Sequence, residues 1–383
     1  MMPIYPLVFL VVLFFNACTF LPLSSNISVE IIVTTPQVVN TEEQVRITGN
    51  HDLLSNWSPS GIPLERIDDH IWVRTFTFPR GTDLEYKFTR GTWQQEALFD
   101  DCQPGDNFRL AVHHHVKIKH DILLWLDECP PQAGEITGDI EYHRDFKSEF
   151  LELSRDVLVW LPPEYSESHD NYPVLYMHDG QNIVDPTTSF TGVDWQVDEV
   201  TTQLVAEGRM RPVIIVGINN TKLRRPEYSP VHLGEEYTRF IIEELMPFIN
   251  VHYRTLEGPE NTAVMGSSMG GIISFHIAWE NPDVFGLAGC LSPAFMVDDN
   301  EILHRVRNDE GPRKSIKFYL DNGTVGLEKE LEPAFREMAE ILRLKGYMDG
   351  EDLLVLVDDG AEHNEAAWAQ RIHEPLLFFF GLN

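Results

Sequence analysis

The segment from Val264 to Gly271 constrains the fold more than any other part of the chain. An apolar stretch of strand length leads there into the pattern G-x-S-x-G, centred on Ser268, and a helical stretch follows from Ile272 to Glu280. A serine on a sharp strand-to-helix turn sits in strained backbone, so glycines must flank it. The pattern predicts that Ser268 is a catalytic nucleophile and that Ser267 is a packing neighbour. The alternative is a tight glycine turn with an idle serine.

From about Leu151 onwards the chain has the sequence pattern of an α/β protein. Apolar runs of strand length alternate with segments in which apolar residues recur at helical spacing. Such runs are buried on both faces, as in a mostly parallel sheet covered by helices. The strands are predicted at Val157–Leu161, Val174–Met177, Val213–Val216, Thr262–Met265, Ile316–Leu320 and Leu353–Val357, and two of the helices at Gly234–Asn250 and Glu328–Gly346.

A serine nucleophile on such a turn needs a base and an acid, which follow it in the order serine, acid, histidine. His363 lies on a loop after the last predicted strand, about 20 residues before the last residue of the sequence, and is the predicted base. The acid should follow the preceding strand, where Asp321 and Glu328 are the candidates. Glu328 has a second interpretation, as a carboxylate that stabilises a helix N-terminus.

The loop after Val174–Met177 reads His178-Asp179-Gly180-Gln181-Asn182 and is expected to complete an oxyanion hole. Gly180 would permit close approach of backbone and substrate. The N–H of Gln181 is expected to join that of Met269, which starts the helix after the nucleophile. The other polar side chains of the loop, His178 and Asp179, are expected to brace it.

A run of mostly polar residues, Arg224 to Tyr228, follows the third predicted strand. We expect Arg225, Glu227 and Tyr228 to line the entrance of the cleft and to contact the substrate. An equally good interpretation is that the group forms a structural salt-bridge cluster.

The first part of the chain predicts a separate all-β domain over residues 27–127. Short runs of strand character occur there at intervals of 8 to 15 residues, with no helical period between them, and this spacing is typical of a β-sandwich. The clearest runs are Val29–Val33, Gln44–Thr48, Trp72–Phe78 and Leu84–Thr89. Residues 128–150, with several prolines, glycines and acidic residues, are predicted to be a linker or edge segment, and residues 151–383 the catalytic domain.

The motifs of the second domain together resemble the esterase family of α/β-hydrolases that includes esterase D, enterochelin esterases, carbohydrate esterase family 1 and the mycolyltransferases. The resemblance implies an α/β-hydrolase fold and ester hydrolysis or acyl transfer through Ser268 and His363. Several members carry an aspartate where this chain has Gly326. The mycolyltransferases place a glutamate slightly later, which favours Glu328 as the acid and leaves Asp321 second.

The first domain resembles starch-binding modules of carbohydrate-binding family 20. In that family two exposed tryptophans and a lysine hold the sugar, and Trp57, Trp93 and Lys87 match those positions. Aromatic faces offer flat apolar area to the C–H faces of glucose, although Trp57 would also suit a sandwich core. The resemblance implies that a polysaccharide is a partner, unless the domain is only a spacer.

The N-terminus predicts export. Residues 1–25 contain no charged side chain, and the apolar run Pro6–Phe15 is too short to span a bilayer but suits a signal peptide. Ala17-Cys18 resembles a lipoprotein cleavage site, which would make Cys18 a lipid anchor and the only membrane contact. In an oxidising compartment Cys102 and Cys129 would be able to pair. The expected location is extracytoplasmic: periplasmic, lipid-anchored or secreted.

The charge excludes one class of function. The chain has 29 Lys and Arg against 60 Asp and Glu, a net charge of −31, which argues against nucleic-acid binding. No cofactor is expected, and no metal site, because His113, His114 and His115 would point to opposite faces of a strand. The sequence therefore predicts a secreted serine esterase acting on small-molecule or glycan esters. The alternatives are a carbohydrate-binding protein with an idle hydrolase domain, and a siderophore esterase.

Overall fold

The computed structural model describes residues 26–36, 44–99, 107–128, 136–163 and 165–382. The predicted signal segment with Cys18, and the cysteines 102 and 129, lie outside these described residues. The chain divides into two compact units. Unit 1 contains the residues up to Gly91 together with Phe108–Ile122, and unit 2 contains Thr92–Asn107 and the chain from Leu123 onwards.

Unit 1 is built from two antiparallel-rich sheets. The strands in this part of the chain are β1 (Asn26–Thr34), β2 (Arg46–Gly49), β3 (Ile62–Pro63), β4 (Glu65–Arg66), β5 (Ile71–Pro79), β6 (Thr82–Thr89), β7 (Ala97–Leu98, in unit 2), β8 (Phe108–Val112) and β9 (Val116–Asp121). One sheet has the order β4-β5-β1-β9 and the other has the order β3-β2-β6-β8. The predicted strand runs correspond to β1, β2, β5 and β6.

The two sheets of unit 1 face each other. Alternate residues of β1, such as Val29 and Val33, are buried, which is the period-2 pattern of a strand with one face on a core. Tyr86 of β6 and His120 of β9 belong to different sheets, and the Tyr86 hydroxyl lies 3.1 Å from His120 Nε2. The predicted β-sandwich is confirmed.

Unit 2 is organised around one large sheet. Its strands are β10 (Leu124–Trp125), β11 (Asp139–Phe146), β12 (Arg155–Leu161), β13 (Val174–His178), β14 (Ile214–Ile218), β15 (Thr262–Ser267), β16 (Leu287–Leu291), β17 (Lys317–Asn322) and β18 (Leu353–Val357). The order in the large sheet is β11-β12-β14-β13-β15-β16-β17-β18. The strands from β13 to β18 pair in parallel, whereas β12 is antiparallel to both of its neighbours.

Helices connect the parallel strands. They are α1 (Val197–Ala206), α2 (Arg224–Glu227), α3 (Gly234–Arg239), α4 (Met246–His252), α5 (Met269–Glu280), α6 (Val297–Asn308), α7 (Glu328–Leu344), α8 (Glu365–Arg371) and α9 (His373–Phe380). A π-helical segment, Phe240–Leu245, joins α3 to α4. No helix in the described part of the chain is both long enough and apolar enough to cross a membrane.

Both faces of the large sheet are buried, as the continuous apolar strands predict. In β12, Val157 and Val159 pack into one hydrophobic core with residues of α5 and α7. The intervening Leu158 and Trp160 pack into a second core with residues of α1, α8 and α9. This is the arrangement predicted from the sequence, a mostly parallel sheet covered by helices.

The structure adds detail at the predicted domain limits. The segment predicted as linker or edge, 128–150, contains β11, the edge strand of the large sheet. The short strand β7 pairs with β10 in unit 2, although both were predicted to belong to the first domain. From the sequence, a domain boundary is predicted where prolines and glycines accumulate. In the structure, the strands with which a strand pairs determine the unit to which it belongs.

Candidate active site

The carboxyl ends of the parallel strands carry the candidate catalytic residues. Ser268 follows β15 directly, with φ 57° and ψ −119°, and α5 begins at the next residue. A Cβ on Gly266 would lie only 2.9 Å from the backbone of Gly270, so this turn requires glycine. The strained backbone predicted for the nucleophile is therefore present at Ser268.

Two backbone amides beside this turn are free to bind an oxyanion. Among the described residues, the N–H groups of Gln181 and Met269 donate to no acceptor. A Cβ on Gly270 would lie 3.5 Å from both Asp179 Oδ2 and His178 Cβ, so the loop that carries Gln181 lies against the start of α5. The two amides predicted for the oxyanion hole are thus on adjoining segments.

Gly180 serves the packing of this loop. A Cβ on Gly180 would lie 2.5 Å from the carbonyl carbon of Gly217 and 2.6 Å from the amide nitrogen of Ile218. Gly180 is itself buried. The close approach that this glycine permits is therefore to the backbone of β14, and a contact between Gly180 and substrate stays a prediction.

Asp179 braces the loop, as the sequence predicted. Its carboxylate accepts hydrogen bonds from Arg224 Nε at 2.8 Å and from Arg224 Nη2 at 2.7 Å, and another from Asn220 Nδ2 at 2.6 Å. Burial alone would raise the pKa of Asp179, but the Arg224 charge and the hydrogen bonds from Arg224 and Asn220 together outweigh it and hold the pKa below its ordinary value. His178 lies beside it with Nδ1 3.0 Å from the Tyr237 hydroxyl, and burial lowers the pKa of His178 to about 3.

The structure corrects the predicted substrate contacts at Glu227 and Tyr228. Both side chains are fully buried, with 0% exposure. Glu227 accepts two hydrogen bonds from Arg155, at 2.9 and 3.1 Å, and the Tyr228 hydroxyl donates to Asp179 at 3.3 Å. Glu227 and Tyr228 therefore fit the alternative interpretation, in which this group of residues forms a structural salt-bridge cluster. Arg225 remains exposed on α2.

Glu328 is the carboxylate that contacts the candidate base. Its Oε1 lies 3.0 Å from His363 Nδ1, and its Oε2 accepts the N–H of Gly323 at 2.9 Å. Burial would raise the pKa of Glu328, but the hydrogen bond and charge of His363, together with the Gly323 amide, outweigh it and hold the pKa below its usual value. Glu328 is therefore an ionised partner for His363.

Asp321, the other candidate acid, is hydrogen-bonded to Arg371 and Ser292. Its two oxygens accept hydrogen bonds from Arg371 at 2.9 and 3.1 Å, and Oδ1 also accepts the Ser292 N–H at 2.9 Å. Asp321 is fully buried. Since this carboxylate is paired with Arg371, the geometry favours Glu328 for the acid.

Ser268 is hydrogen-bonded to the segment after β16. Ser268 N donates to the Leu291 carbonyl at 2.9 Å, and the Ser268 carbonyl accepts the Ala294 N–H at 3.2 Å. Ser292, between these contacts, is fully buried. In the part of the chain that the structure describes, no hydrogen bond joins the Ser268 hydroxyl to His363. Catalytic hydrogen bonds are often long before substrate binds.

Sequence reasoning missed the residues behind the acid. The Ser292 hydroxyl accepts hydrogen bonds from Trp368 Nε1 at 3.0 Å and from Arg371 Nη2 at 2.8 Å. The Trp368 ring also packs edge to face against His363, with centroids 5.1 Å apart. The available signal was weak: a serine directly after a buried strand of the sheet, and an arginine within an apolar C-terminal helix.

An acidic cluster at the start of α1 was also missed. Carboxylate oxygens of Asp194, Asp198 and Glu199 lie within 4.8 Å of one another. Burial raises the pKa of Asp194 to about 6 and that of Glu199 to about 8. Asp198 Oδ2 accepts the Thr137 N–H at 2.8 Å. Like charges this close favour the protonated form of one partner.

The residues predicted to bind glycan lie in both units. Trp57 ends a 3₁₀ turn at Asp52–Trp57 and is half-buried, and its indole Nε1 is buried with no partner among the described residues. Lys87 lies on β6 opposite Thr48 and is also half-buried. Trp93, in a 3₁₀ turn at Trp93–Gln95, belongs to unit 2. Trp72 and Tyr86 are core residues.

Comparison with known proteins gives matches over both units. The family described as "Putative esterase" matches residues 148–378, and the family described as "Starch binding domain" matches residues 26–121. An endo-1,4-β-xylanase/feruloyl esterase of Xylanibacter ruminicola is 28% identical over 236 residues, which are 58% of this chain and 29% of that protein.

Solved structures share the fold. A ferulic acid esterase superposes with a TM-score of 0.52 at 22% identity, covering 63% of this chain and 98% of its own. The enterobactin esterase FES from Shigella flexneri, in the presence of 2,3-di-hydroxy-N-benzoyl-serine, superposes with a TM-score of 0.54 at 17% identity, covering 91% of this chain and 92% of its own.

Proposed function

The chain belongs to the Putative esterase family, whose match spans residues 148–378, and on this premise we propose that it is a serine esterase that hydrolyses carboxylic esters through an acyl-enzyme on Ser268. The observation that carries the proposal is the 3.0 Å hydrogen bond between Glu328 and His363 Nδ1. It lies at the sheet edge where Ser268 occupies a strained turn at the start of α5.

The mechanism uses these groups in turn. Glu328 holds the proton of His363 on Nδ1, so that Nε2 accepts the proton of Ser268 while the serine oxygen attacks the ester carbonyl. The N–H groups of Gln181 and Met269 bind the oxyanion. His363 then returns the proton to the leaving alcohol, and a water molecule, activated by the same ring, releases the acid and restores Ser268.

The direct test is hydrolysis of p-nitrophenyl acetate by wild type and by Ser268→Ala. The matched control is Ser267→Ala, because Ser267 is buried beside the nucleophile and has no role in this mechanism. We expect Ser268→Ala to lose at least about 10³-fold in kcat/KM and Ser267→Ala to keep most of the activity. Turnover that survives in Ser268→Ala would reject the assignment.

For the substrate we propose a neutral carbohydrate-linked ester of the acetyl or feruloyl type. The name of the Xylanibacter ruminicola relative and the acidic composition, with a net charge of −31, both support an uncharged substrate over an anionic one. A siderophore ester is the second candidate, because the enterobactin esterase superposes on 91% of this chain. Comparing kcat/KM across acetyl, feruloyl and siderophore esters distinguishes the two.

We also propose that the segment matched by the Starch binding domain family, residues 26–121, binds starch or glycogen. Retention on insoluble starch should be lost in Trp57→Ala and in Trp93→Ala. A wild-type protein that is not retained would refute the binding. If starch is retained but no ester in the panel is turned over, the rival function applies, a carbohydrate-binding protein with an idle hydrolase domain.

For location we propose an extracytoplasmic protein, on the strength of the uncharged apolar N-terminus. Cell fractionation with a radiolabelled fatty acid tests it. Label that is present in wild type and absent in Cys18→Ala would support a lipid anchor, whereas cytoplasmic recovery of the whole protein would contradict export.

A further inference from the structure

We propose that Trp368 is a positioning residue for the catalytic base: its indole packs against the His363 ring and holds that ring where Nδ1 meets Glu328. This inference rests on the proposed function, because it concerns the same site. The two rings meet edge to face, with centroids 5.1 Å apart and an interplanar angle of 82°. Trp368 is buried, with 5% exposure, and we assign it no contact with the substrate.

The contact between the two rings is built into the start of α8. Asn364 is the N-cap residue of this helix, and its side chain accepts the N–H of Ala367 at 2.9 Å. His363 is then the residue before the cap, and Trp368 is the fourth residue of the helix. Apolar side chains at these two positions often pack on each other and fix the angle at which the chain enters a helix. Here an imidazole takes the first position, so one contact fixes both the backbone that carries the base and its ring.

Hydrogen bonds behind the indole fix its own orientation. The indole Nε1–H donates to the Ser292 hydroxyl at 3.0 Å, and that hydroxyl also accepts a hydrogen bond from Arg371 Nη2 at 2.8 Å. Arg371 in turn forms a two-point ion pair with Asp321, at 2.9 and 3.1 Å. Because Ser292 follows β16 and Asp321 lies in β17, the indole is tied to two strands of the large sheet.

The indole supplies a restraint that the acid alone does not give. The hydrogen bond between Glu328 and His363 Nδ1, at 3.0 Å, fixes one atom of the imidazole but leaves the ring able to tilt about that contact. A perpendicular aromatic neighbour opposes the tilt, because aromatic rings favour edge-to-face contact. Trp195, which is also buried, packs against the indole with ring centroids 5.3 Å apart and limits its movement. Nε2 of His363, which takes the serine proton in the proposed mechanism, therefore keeps one direction.

The decisive experiment follows the Nδ1 proton of His363 by NMR in the full chain labelled with ¹⁵N-histidine, with the signal assigned by its loss in His363→Gln. Trp368→Leu removes the aromatic ring, so we expect the imidazole to tilt and the signal to be lost by exchange with water. Trp368→Phe keeps an aromatic ring against the base and should keep the signal. The matched control is Trp279→Leu, because Trp279 is buried but packs on Phe275 and Phe318; this variant should keep the signal too.

Kinetics on the same variants test the effect on the reaction. Trp368→Leu should lower kcat by at least about tenfold per titrated active site, with KM unchanged, whereas Trp368→Phe and Trp279→Leu should stay within about threefold of wild type. Should Trp368→Leu not fold, Trp368→Met takes its place, because methionine fills the space without a ring. An unchanged kcat or a retained Nδ1 signal in the variant without a ring overturns the proposal, and so does an equal loss in Trp368→Phe or Trp279→Leu. If wild type has no Ser268-dependent turnover, the proposed function fails, but the Nδ1 signal still decides whether Trp368 holds the His363 ring.

Discussion

Replacing Glu328 by glutamine tests the candidate triad most sharply, because the structure fixes how the amide must lie. Glu328 Oε2 accepts the N–H of Gly323 at 2.9 Å. In Glu328→Gln, an NH₂ group at that position would face the Gly323 N–H, which is also a donor. The amide oxygen must therefore occupy that position. The NH₂ group of Glu328→Gln then faces His363 Nδ1, where the carboxylate Oε1 lies at 3.0 Å in wild type.

This orientation reverses the tautomer of the base. His363 Nδ1 accepts the amide proton, so the ring carries its own proton on Nε2 and cannot take the proton of Ser268. The equivalent aspartate-to-asparagine change in serine proteases lowers kcat by about 10⁴, an effect of the wrong tautomer. We expect a loss of about 10³- to 10⁴-fold, or roughly 4 to 5.5 kcal/mol of transition-state stabilisation.

The assay is kcat on p-nitrophenyl acetate, with thermal unfolding of each variant measured alongside. Glu365→Gln is the matched control: Glu365 is buried near the base, but its oxygens accept hydrogen bonds from Asn182 at 3.2 Å and Thr191 at 3.1 Å. Burial raises the Glu365 pKa, so a neutral amide suits that site. A Glu328→Gln enzyme within tenfold of wild type would refute the tautomer argument.

Three further outcomes follow from the contacts described above. Gly180→Ala puts a Cβ 2.5 Å from the Gly217 backbone and should lower kcat by at least about tenfold by displacing the Gln181 amide; unchanged kcat would contradict that role for the loop. Glu227→Ala leaves Arg155 buried without its partner and should lower the free energy of unfolding in urea by about 3 kcal/mol, whereas a loss below about 1 kcal/mol would show that the pair matters little. Burial raises the pKa of Glu199 to about 8, so the unfolded chain loses this proton first and stability falls as the pH rises from about 4.5 to 8; Glu199→Gln should raise the melting temperature at pH 8 and not at pH 4, and equal changes at both would argue against the shift.

The sequence predicts those parts of the site that depend on local backbone rules. The turn at Ser268 was predictable because a strand, closely spaced glycines and a helix occur in direct succession. The positions of His363 and of the Gln181 loop followed from a general property of parallel sheets, whose carboxyl ends lie at one edge. The helix α7 was predictable from the spacing of its apolar residues.

The choice between Asp321 and Glu328 as the acid does not follow from local sequence rules. Asp321 lies at the end of β17 and Glu328 follows it, and what separates them is Arg371, which pairs with Asp321 from 50 residues further along the chain. The burial of Glu227 likewise depends on Arg155, 72 residues away. A charged residue is expected to be exposed when the partner that neutralises it is not known from the sequence. Such buried pairs are therefore identified only in the folded structure.

The order of strands β13, β15, β16, β17 and β18 in the sheet has a consequence for biosynthesis. These strands are neighbours in space in the same sequence as in the chain, and their loops deliver the oxyanion amide, Ser268, Ser292, Glu328 and His363 one after another. A growing chain thus carries the proposed nucleophile long before the proposed base emerges. If Ser268 acts with His363 as we propose, it gains its base only after β18 has been made, so the incomplete chain is inactive on esters.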